Sequence, residues 1–229
     1  MDSGLHRLSD KHVGVARSLS RAAGEGKTGP MAKDFKMLLL ILGLALFLGA
    51  HSTRIFAEGW RTGMISRLGA QRWKGVYSLV SIVGFVLIVW GFAQARHGSP
   101  QMWAPPLWAK HLNLLLTLAS MILLAAAKGP ANHYKSILHH PMTWGVALWS
   151  GGHLMANGTQ ADAVLFGSFL VWSILDLIAS YARDRRERVV YAAPLMRATI
   201  TSTIAGAAVW ALLVFWLHLW LFGVAPLAR

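Results

Sequence analysis

The chain has 229 residues, of which 55% are hydrophobic and only 14% are charged, and its mean hydropathy is +0.47. Soluble domains carry about 25% charged residues, so this composition excludes an ordinary soluble protein, and the 11 Trp and 9 Phe residues exclude a disordered chain. The sequence contains no cysteine, which excludes disulfides, thiolate metal sites and iron–sulfur clusters. The net charge of +13 is explained by cytoplasmic Lys and Arg beside an anionic lipid bilayer, and no nucleic-acid partner is expected.

Residues 1–36 differ from the rest of the chain because they are polar and basic and show no sustained apolar period. A signal peptide would place its apolar run within about the first 30 residues, but here the run begins at Met37. We therefore predict a flexible basic tail over residues 1–36. An alternative is that translation starts at Met31, in which case part of the tail is not native.

The remainder of the chain contains six apolar segments. A membrane-spanning helix needs about 20 mostly apolar residues, and in lipid a helical bundle satisfies its own backbone hydrogen bonds. The segments are residues 37–57, 75–95, 107–127, 141–157, 161–181 and 198–224. The fourth is the shortest, and its first residue, Pro141, is typical of a helix start. The sequence therefore predicts an all-α integral membrane bundle of about six transmembrane helices over residues 37–224.

The charges of the connecting loops predict the orientation of this bundle. Beyond residue 36, most Lys and Arg residues fall in the first, third and fifth loops: Arg61, Arg67, Arg72, Lys74, Lys128, Lys135, Arg183, Arg185, Arg186, Arg188 and Arg197. By the positive-inside rule these loops are cytoplasmic, which places both termini in the periplasm of a bacterial inner membrane. Lys33 and Lys36 contradict this orientation, which favours a tail that is partly non-native.

Two histidines within the apolar segments are the first candidates for a site, because ionisable groups inside a membrane are costly. His51 is followed one turn later by Arg54, and His153 by Asn157, in each case on the same helix face. Gly151 and Gly152 leave room beside His153 for another helix or a flat cofactor. Two neutral imidazoles from different helices can bind a transition metal or haem iron, or each can hydrogen-bond across helices, and spacing alone leaves both interpretations open.

Four further polar residues are expected to have structural roles. We expect His111 to be a solvated interfacial residue, with a haem-propionate or quinone contact as the alternative, and His218 to serve an interfacial or packing role. Asp176 is interpreted as a hydrogen-bonded helix contact, with a proton relay as the alternative. His140, next to His139, precedes Pro141 and is expected to help form the start of the fourth helix. Adjacent residues point in different directions, so these two histidines are poor joint ligands.

Five motifs occur together in a recognisable order. They are Leu-Gly-Ala-His-Ser-Thr-Arg-Ile-Phe at 48–56, Gly-Ala-Gln-Arg-Trp-Lys-Gly-Val-Tyr-Ser-Leu-Val-Ser at 69–81, Leu-Trp-Ala-Lys-His-Leu at 107–112, His-His-Pro-Met at 139–142 and Leu-Trp-Ser-Gly-Gly-His-Leu-Met-Ala-Asn-Gly at 148–158. With these motifs the chain resembles the NnrU family of bacterial membrane proteins. The resemblance implies a role in nitrite and nitric oxide respiration, and it implies respiratory nitrogen-oxide reductase components as partners.

The same family includes relatives of the plant 15-cis-ζ-carotene isomerase, a membrane protein that resembles a b-type haem enzyme with two axial histidines. The resemblance places those ligands at His51 and His153 and implies haem b as the cofactor. Arg54 is then a candidate partner for a haem propionate, and Asn157 a candidate group behind His153. The plant proteins have a ligand-switching Cys three residues before the second His; this chain has Ser150 there, so the Cys-dependent mechanism is not expected here.

The predicted boundaries allow a check on depth. At 1.5 Å per residue, in a bilayer core of about 30 Å, His51 lies about 9 Å and His153 about 18 Å from the cytoplasmic side. The two must lie at nearly the same depth to share one iron, and boundary shifts of about 2–4 residues would remove much of the difference.

Three functions are indicated as hypotheses. The first is a b-type haem protein that supports nitrite and nitric oxide respiration. The second is a haem-dependent cis–trans isomerase of a carotenoid. The third is a cofactor-free membrane assembly factor whose histidines only join helices.

Overall fold

The computed structural model describes residues 30–227, with side chains from residue 34 onwards. Most of the predicted tail therefore lies outside the described residues, and the alternative start at Met31 stays a prediction. Within the described range, residues 36–227 belong to one compact unit, which holds the candidate site.

The described part of the chain is helical and contains no β-sheet, which confirms the predicted all-α class. The helices are α1 (Pro30–Phe56), α2 (Glu58–Leu68), α3 (Ala70–Ala95), α4 (Leu107–Lys128), α5 (His133–Leu138), α6 (Pro141–Ala156), α7 (Gln160–Glu187), α8 (Met196–Leu212) and α9 (His218–Phe222). A π-helical turn, Leu213–Leu217, joins α8 to α9.

The helices form a multi-pass membrane bundle. Five segments are long and apolar enough to cross a membrane: Asp34–Phe56, Ala70–Ala95, Leu107–Lys128, Gln160–Glu187 and Met196–Phe222. The shorter α6 has 16 residues, or about 24 Å at 1.5 Å per residue, and it packs between α4 and α7. Because it returns the chain from the end of α4 to the start of α7, it is the sixth crossing. We call the end that holds residues 57–69, 129–140 and 188–195 the arginine-rich end.

Two short helices, α2 and α5, occupy predicted loops, and several helices extend beyond the predicted apolar segments. The helix α3 begins at Ala70 rather than residue 75, directly after Gly69, whose φ of 82° suits glycine. The difference arises because hydropathy detects the part of a helix inside lipid, whereas charged residues near the helix start, such as Arg72 and Lys74, continue the same helix into the interface.

Glycines allow α1 and α3 to pack backbone to backbone. A Cβ added at Gly84 would lie 2.7 Å from the Phe47 nitrogen, and one added at Gly91 would lie 2.5 Å from the Leu40 nitrogen. Small residues at such crossings bring membrane helices close enough for extensive van der Waals contact. Beside this crossing lies the core cluster, whose buried members are Leu40, Leu44, Ile88, Leu165 and Phe166.

Candidate functional site

His51 lies on α1 and contacts both α3 and α7. Its Nδ1–H donates a hydrogen bond to the carbonyl of Phe47 at 2.7 Å, so Nε2 lies on the ring edge turned away from its own helix. The ring stacks on Phe47 with 4.3 Å between centroids, and it lies 5.3 Å from the ring of Tyr77 and 6.0 Å from that of Trp172. An imidazole fixed by one hydrogen bond through Nδ1 is the usual state of a metal-binding histidine.

Two buried polar atoms near His51 have no hydrogen-bond partner among the described residues. They are Nε1 of Trp172 and Oγ of Ser81. Ser81 lies close to the level of His51, because Gly84, three residues further along the antiparallel α3, touches the backbone of Phe47. Buried polar atoms are nearly always paired, so unpaired donors at membrane depth indicate a place for a water or a ligand.

Asp176 lies one turn beyond Trp172 on α7, towards the arginine-rich end. Its Oδ2 accepts a hydrogen bond from Oγ1 of Thr143 at 2.8 Å, which joins α7 to the first turn of α6. The hydrogen-bonded helix contact predicted for Asp176 is therefore present. The alternative role as a proton relay stays a prediction.

A groove runs between α1 and α7 on the outer surface of the bundle. Its two lobes have volumes of about 470 and 400 Å³ and share Leu48, Ser52 and Ser168. Trp172 forms part of the wall of the larger lobe, and the same ring contacts His51.

His153 lies near the end of α6, and its ring stacks on that of Phe166 with 4.7 Å between centroids. Nδ2 of Asn157 donates to the His153 carbonyl at 2.9 Å and lies 3.2 Å from Nδ1 of the ring. The two side chains are thus in contact, as their spacing predicts. Nδ1 of His153 thus lies on the Asn157 side of the ring, and Nε2 lies on the opposite edge.

Neighbouring helices occupy part of the space that the sequence predicted beside His153. A Cβ added at Gly152 would lie 2.5 Å from Oδ1 of Asn113 on α4, and one added at Gly151 would lie 3.8 Å from Leu170 on α7. Gly152 therefore serves the close approach of α4, whereas a Cβ at Gly151 would make only an ordinary contact with α7. Oδ1 of Asn113 is buried and has no hydrogen-bond partner among the described residues.

His51 and His153 lie at different depths in the bundle. Both contact α7, His51 at Trp172 and His153 at Phe166, and the six residues between these positions correspond to about 9 Å of helix. Two imidazole nitrogens on one metal ion lie only about 4 Å apart, twice a metal–nitrogen bond of about 2 Å. The imidazoles are linked instead by a series of contacting aromatic rings, those of Phe47, Phe169 and Trp149.

The surroundings of the two histidines differ. At His51, Nε2 makes no hydrogen bond to another described residue, and unpaired donors and aromatic rings surround the imidazole. His153 contacts α7 six residues, or about 9 Å of helix, away from the residue that His51 contacts, and its Nδ1 lies beside Asn157. Binding of one iron by both histidines stays a prediction, and it would require the aromatic rings between them to move.

The other predicted site residues lie apart from this centre. Arg54 is exposed at the end of α1, towards the arginine-rich end, and forms no hydrogen bond with another described residue. His111 is exposed near the start of α4. Nδ1 of His218 donates to the Val224 carbonyl at 2.7 Å directly after the π-helical turn. Ser150 is buried, and its Oγ donates to the carbonyl of Val146 in its own helix at 2.7 Å.

The adjacent histidines before α6 belong to a network that the sequence did not reveal. Nε2 of His140 donates to Oδ2 of Asp184 at 2.7 Å, and the hydroxyl of Tyr191 donates to the same oxygen. His139 has a φ of 57° and stacks on Tyr191 with 4.1 Å between ring centroids. The two rings point in different directions, as predicted, yet both meet the Asp184–Tyr191 pair. Desolvation, together with the Asp184 carboxylate, raises the pKa of Tyr191 above its ordinary value.

A comparison with known protein families shows to which family this chain belongs. The family described as NnrU protein matches residues 39–226, which covers α2 to α9 and all of α1 except its first turns. The chain belongs to the NnrU family. No curated protein and no solved structure matches it. Family membership thus supports a multi-pass arrangement of apolar helices, while the roles of individual residues rest on the geometry of this member.

Proposed function

We propose that this NnrU family member binds b-type haem in the membrane through His51 and supports the respiration of nitrite and nitric oxide. One observation carries the proposal: the backbone carbonyl of Phe47 fixes His51 at 2.7 Å, and the ring of Trp172, which contacts His51, has a buried Nε1 without a partner among the described residues. Each feature is expected of an imidazole that binds iron. A bound haem would supply one-electron redox chemistry and a binding position for small nitrogen oxides.

The residues around His51 would hold and shield such a group. Phe47 fixes the orientation of the imidazole, and the rings of Tyr77 and Trp172 supply apolar surface beside it. Nε1 of Trp172 and Oγ of Ser81 are donors that suit acceptor oxygens. With no cysteine in the chain, a neutral imidazole is the strongest iron ligand that the protein offers.

The isomerase alternative has less support. A thiolate-dependent ligand switch needs a sulfur ligand at residue 150, but this chain has a serine there, and its hydroxyl donates to the carbonyl of Val146. Alcohol oxygens are poor ligands for haem iron, and this one is engaged within its own helix. We therefore favour redox chemistry or nitrogen-oxide binding over polyene isomerisation.

The function is tested in the native host by deleting the gene and complementing it. Cells grown anaerobically on nitrite should lose nitrite or nitric oxide consumption upon deletion, and the unmodified gene should restore it. The His51→Ala gene should fail to restore it, whereas His111→Ala, which alters an exposed histidine, should succeed. Membrane levels of each variant are compared by immunoblot, and restoration by His51→Ala at equal levels would refute the proposal.

A further inference from the structure

The helix α2 and its flanking turns form a cationic and aromatic surface at the arginine-rich end. No residue of α2 is buried, and α2 packs along α3, where the rings of Trp60 and Trp73 lie 5.7 Å apart. Phe56 is 71% exposed and Trp60 is 56% exposed. With 11 residues, or about 16 Å at 1.5 Å per residue, α2 is too short to cross the bilayer. Because it joins two crossing helices, it lies at the membrane interface.

The charge of this surface is almost entirely positive. Its basic residues are Arg54, Arg61, Arg67, Arg72 and Lys74. The one acidic residue on α2, Glu58, accepts a hydrogen bond from Arg61 at 2.9 Å. The remaining four cations have no carboxylate within salt-bridge distance among the described residues. These exposed cations are therefore available to anions from outside the bundle.

We propose that this surface binds the phosphate groups of anionic phospholipids in the leaflet at the arginine-rich end. Guanidinium groups match phosphate oxygens in two-point contacts, and each Lys or Arg near an anionic leaflet contributes attraction. Exposed Phe56 and Trp60 suit the boundary between headgroups and acyl chains, which aromatic rings favour. Arg54 then serves lipid phosphate rather than a haem propionate. This proposal does not depend on haem binding.

The sharp corner between α2 and α3 keeps the cations together. Gly69, with a φ of 82°, ends α2 and begins α3, so Arg67 and Arg72 lie on either side of one turn. Both side chains are exposed. Their charges can thus act on the same lipid headgroups without disturbing a buried contact, which makes this pair the natural target for substitution.

The test exploits the absence of native cysteine. A Thr62→Cys substitution on the exposed side of α2 carries a bimane fluorophore, and the full chain is placed in nanodiscs of mixed phosphatidylglycerol and phosphatidylcholine. Either lipid is supplied in brominated form, and the ratio of fluorescence quenching reports which lipid collects at α2. We expect phosphatidylglycerol to quench preferentially, and Arg67→Gln/Arg72→Gln to reduce that preference by about fivefold for each charge removed.

The matched control is Arg185→Gln/Arg186→Gln, which removes two charges from α7 at the same end of the bundle. It should leave the preference at α2 unchanged. Equal quenching by both lipids in the unmodified protein would overturn the proposal, and so would an equal loss of preference in the control. Displacement of the lipid by inorganic phosphate alone would also overturn it, because the surface would then be a site for soluble anions. A reporter at the C-terminus checks that every variant keeps the same orientation.

Discussion

His51 and His153 contact the same face of the bundle interior at two depths, one against Trp172 and the other against Phe166, six residues earlier on α7. The helical rise makes this offset about 9 Å. The apolar segments of the sequence give the same offset. The two histidines of the family motifs thus lie in one aromatic interior without facing each other, and His51 alone combines a fixed imidazole with unpaired neighbouring donors.

The contact between α1 and α3 depends on glycine at its crossing points. Replacing Gly91 by Ala places a methyl group 2.5 Å from the Leu40 nitrogen, and such overpacking costs about 1–3 kcal/mol. Thermal unfolding of the purified protein, followed by circular dichroism, should show a lower midpoint for Gly91→Ala.

The control is Gly75→Ala on the same helix, where an added Cβ meets nothing within 4 Å. It should be neutral or raise stability by about 0.5–1 kcal/mol, because alanine favours a helix over glycine. Equal midpoints for the two variants would show that the backbones of α1 and α3 are not in close contact at Gly91.

The free energy of unfolding should fall in alkaline solution because Tyr191 loses its proton. The pKa of Tyr191 is raised in the folded protein, so folding favours the protonated hydroxyl. The contribution of this proton to the free energy of unfolding is complete below the unfolded pKa of about 10. It is lost as the pH rises through the folded pKa. Unfolding midpoints measured from about pH 8 to about pH 12, a range that spans the unfolded pKa, should decline more steeply for the unmodified protein than for Tyr191→Phe. Parallel declines would show that the Asp184 contact does not hold the proton.

The orientation of the bundle is a separate prediction. Six crossings place the start of the first crossing and the end of α9 on the side opposite the arginine-rich end, which is predicted to be cytoplasmic by the positive-inside rule. A reporter that is active only in the periplasm should therefore be active when fused after Arg229. Activity of a cytoplasmic reporter at the same position would reverse the orientation.

The sequence predicted the crossing helices well because their apolar length is a property of the chain alone. It missed α2 and α5, whose residues are polar enough to resemble loops, and it began α3 at residue 75 because Arg72 and Lys74 break the apolar run. Asn157 was correctly paired with His153, since four residues bring side chains together on any helix.

The surroundings of His51 were less accessible to sequence reasoning. Its contacts with Tyr77 and Trp172 join three helices that are far apart in the chain, and no local period encodes such contacts. The same holds for the meeting of His140 with Asp184, 44 residues further on. Asp176 was recognised because a carboxylate inside a membrane helix is rare, whereas its partner Thr143 carries no such signal.

The visible spectrum of the purified protein, expressed with ample haem and recorded in oxidised and reduced forms, tests most directly whether His51 binds haem. We expect a Soret band in the unmodified protein, its loss in His51→Ala and its retention in His111→Ala. No Soret band in the unmodified protein, or an unchanged band in a folded His51→Ala variant, would contradict the assignment of His51 as the haem ligand.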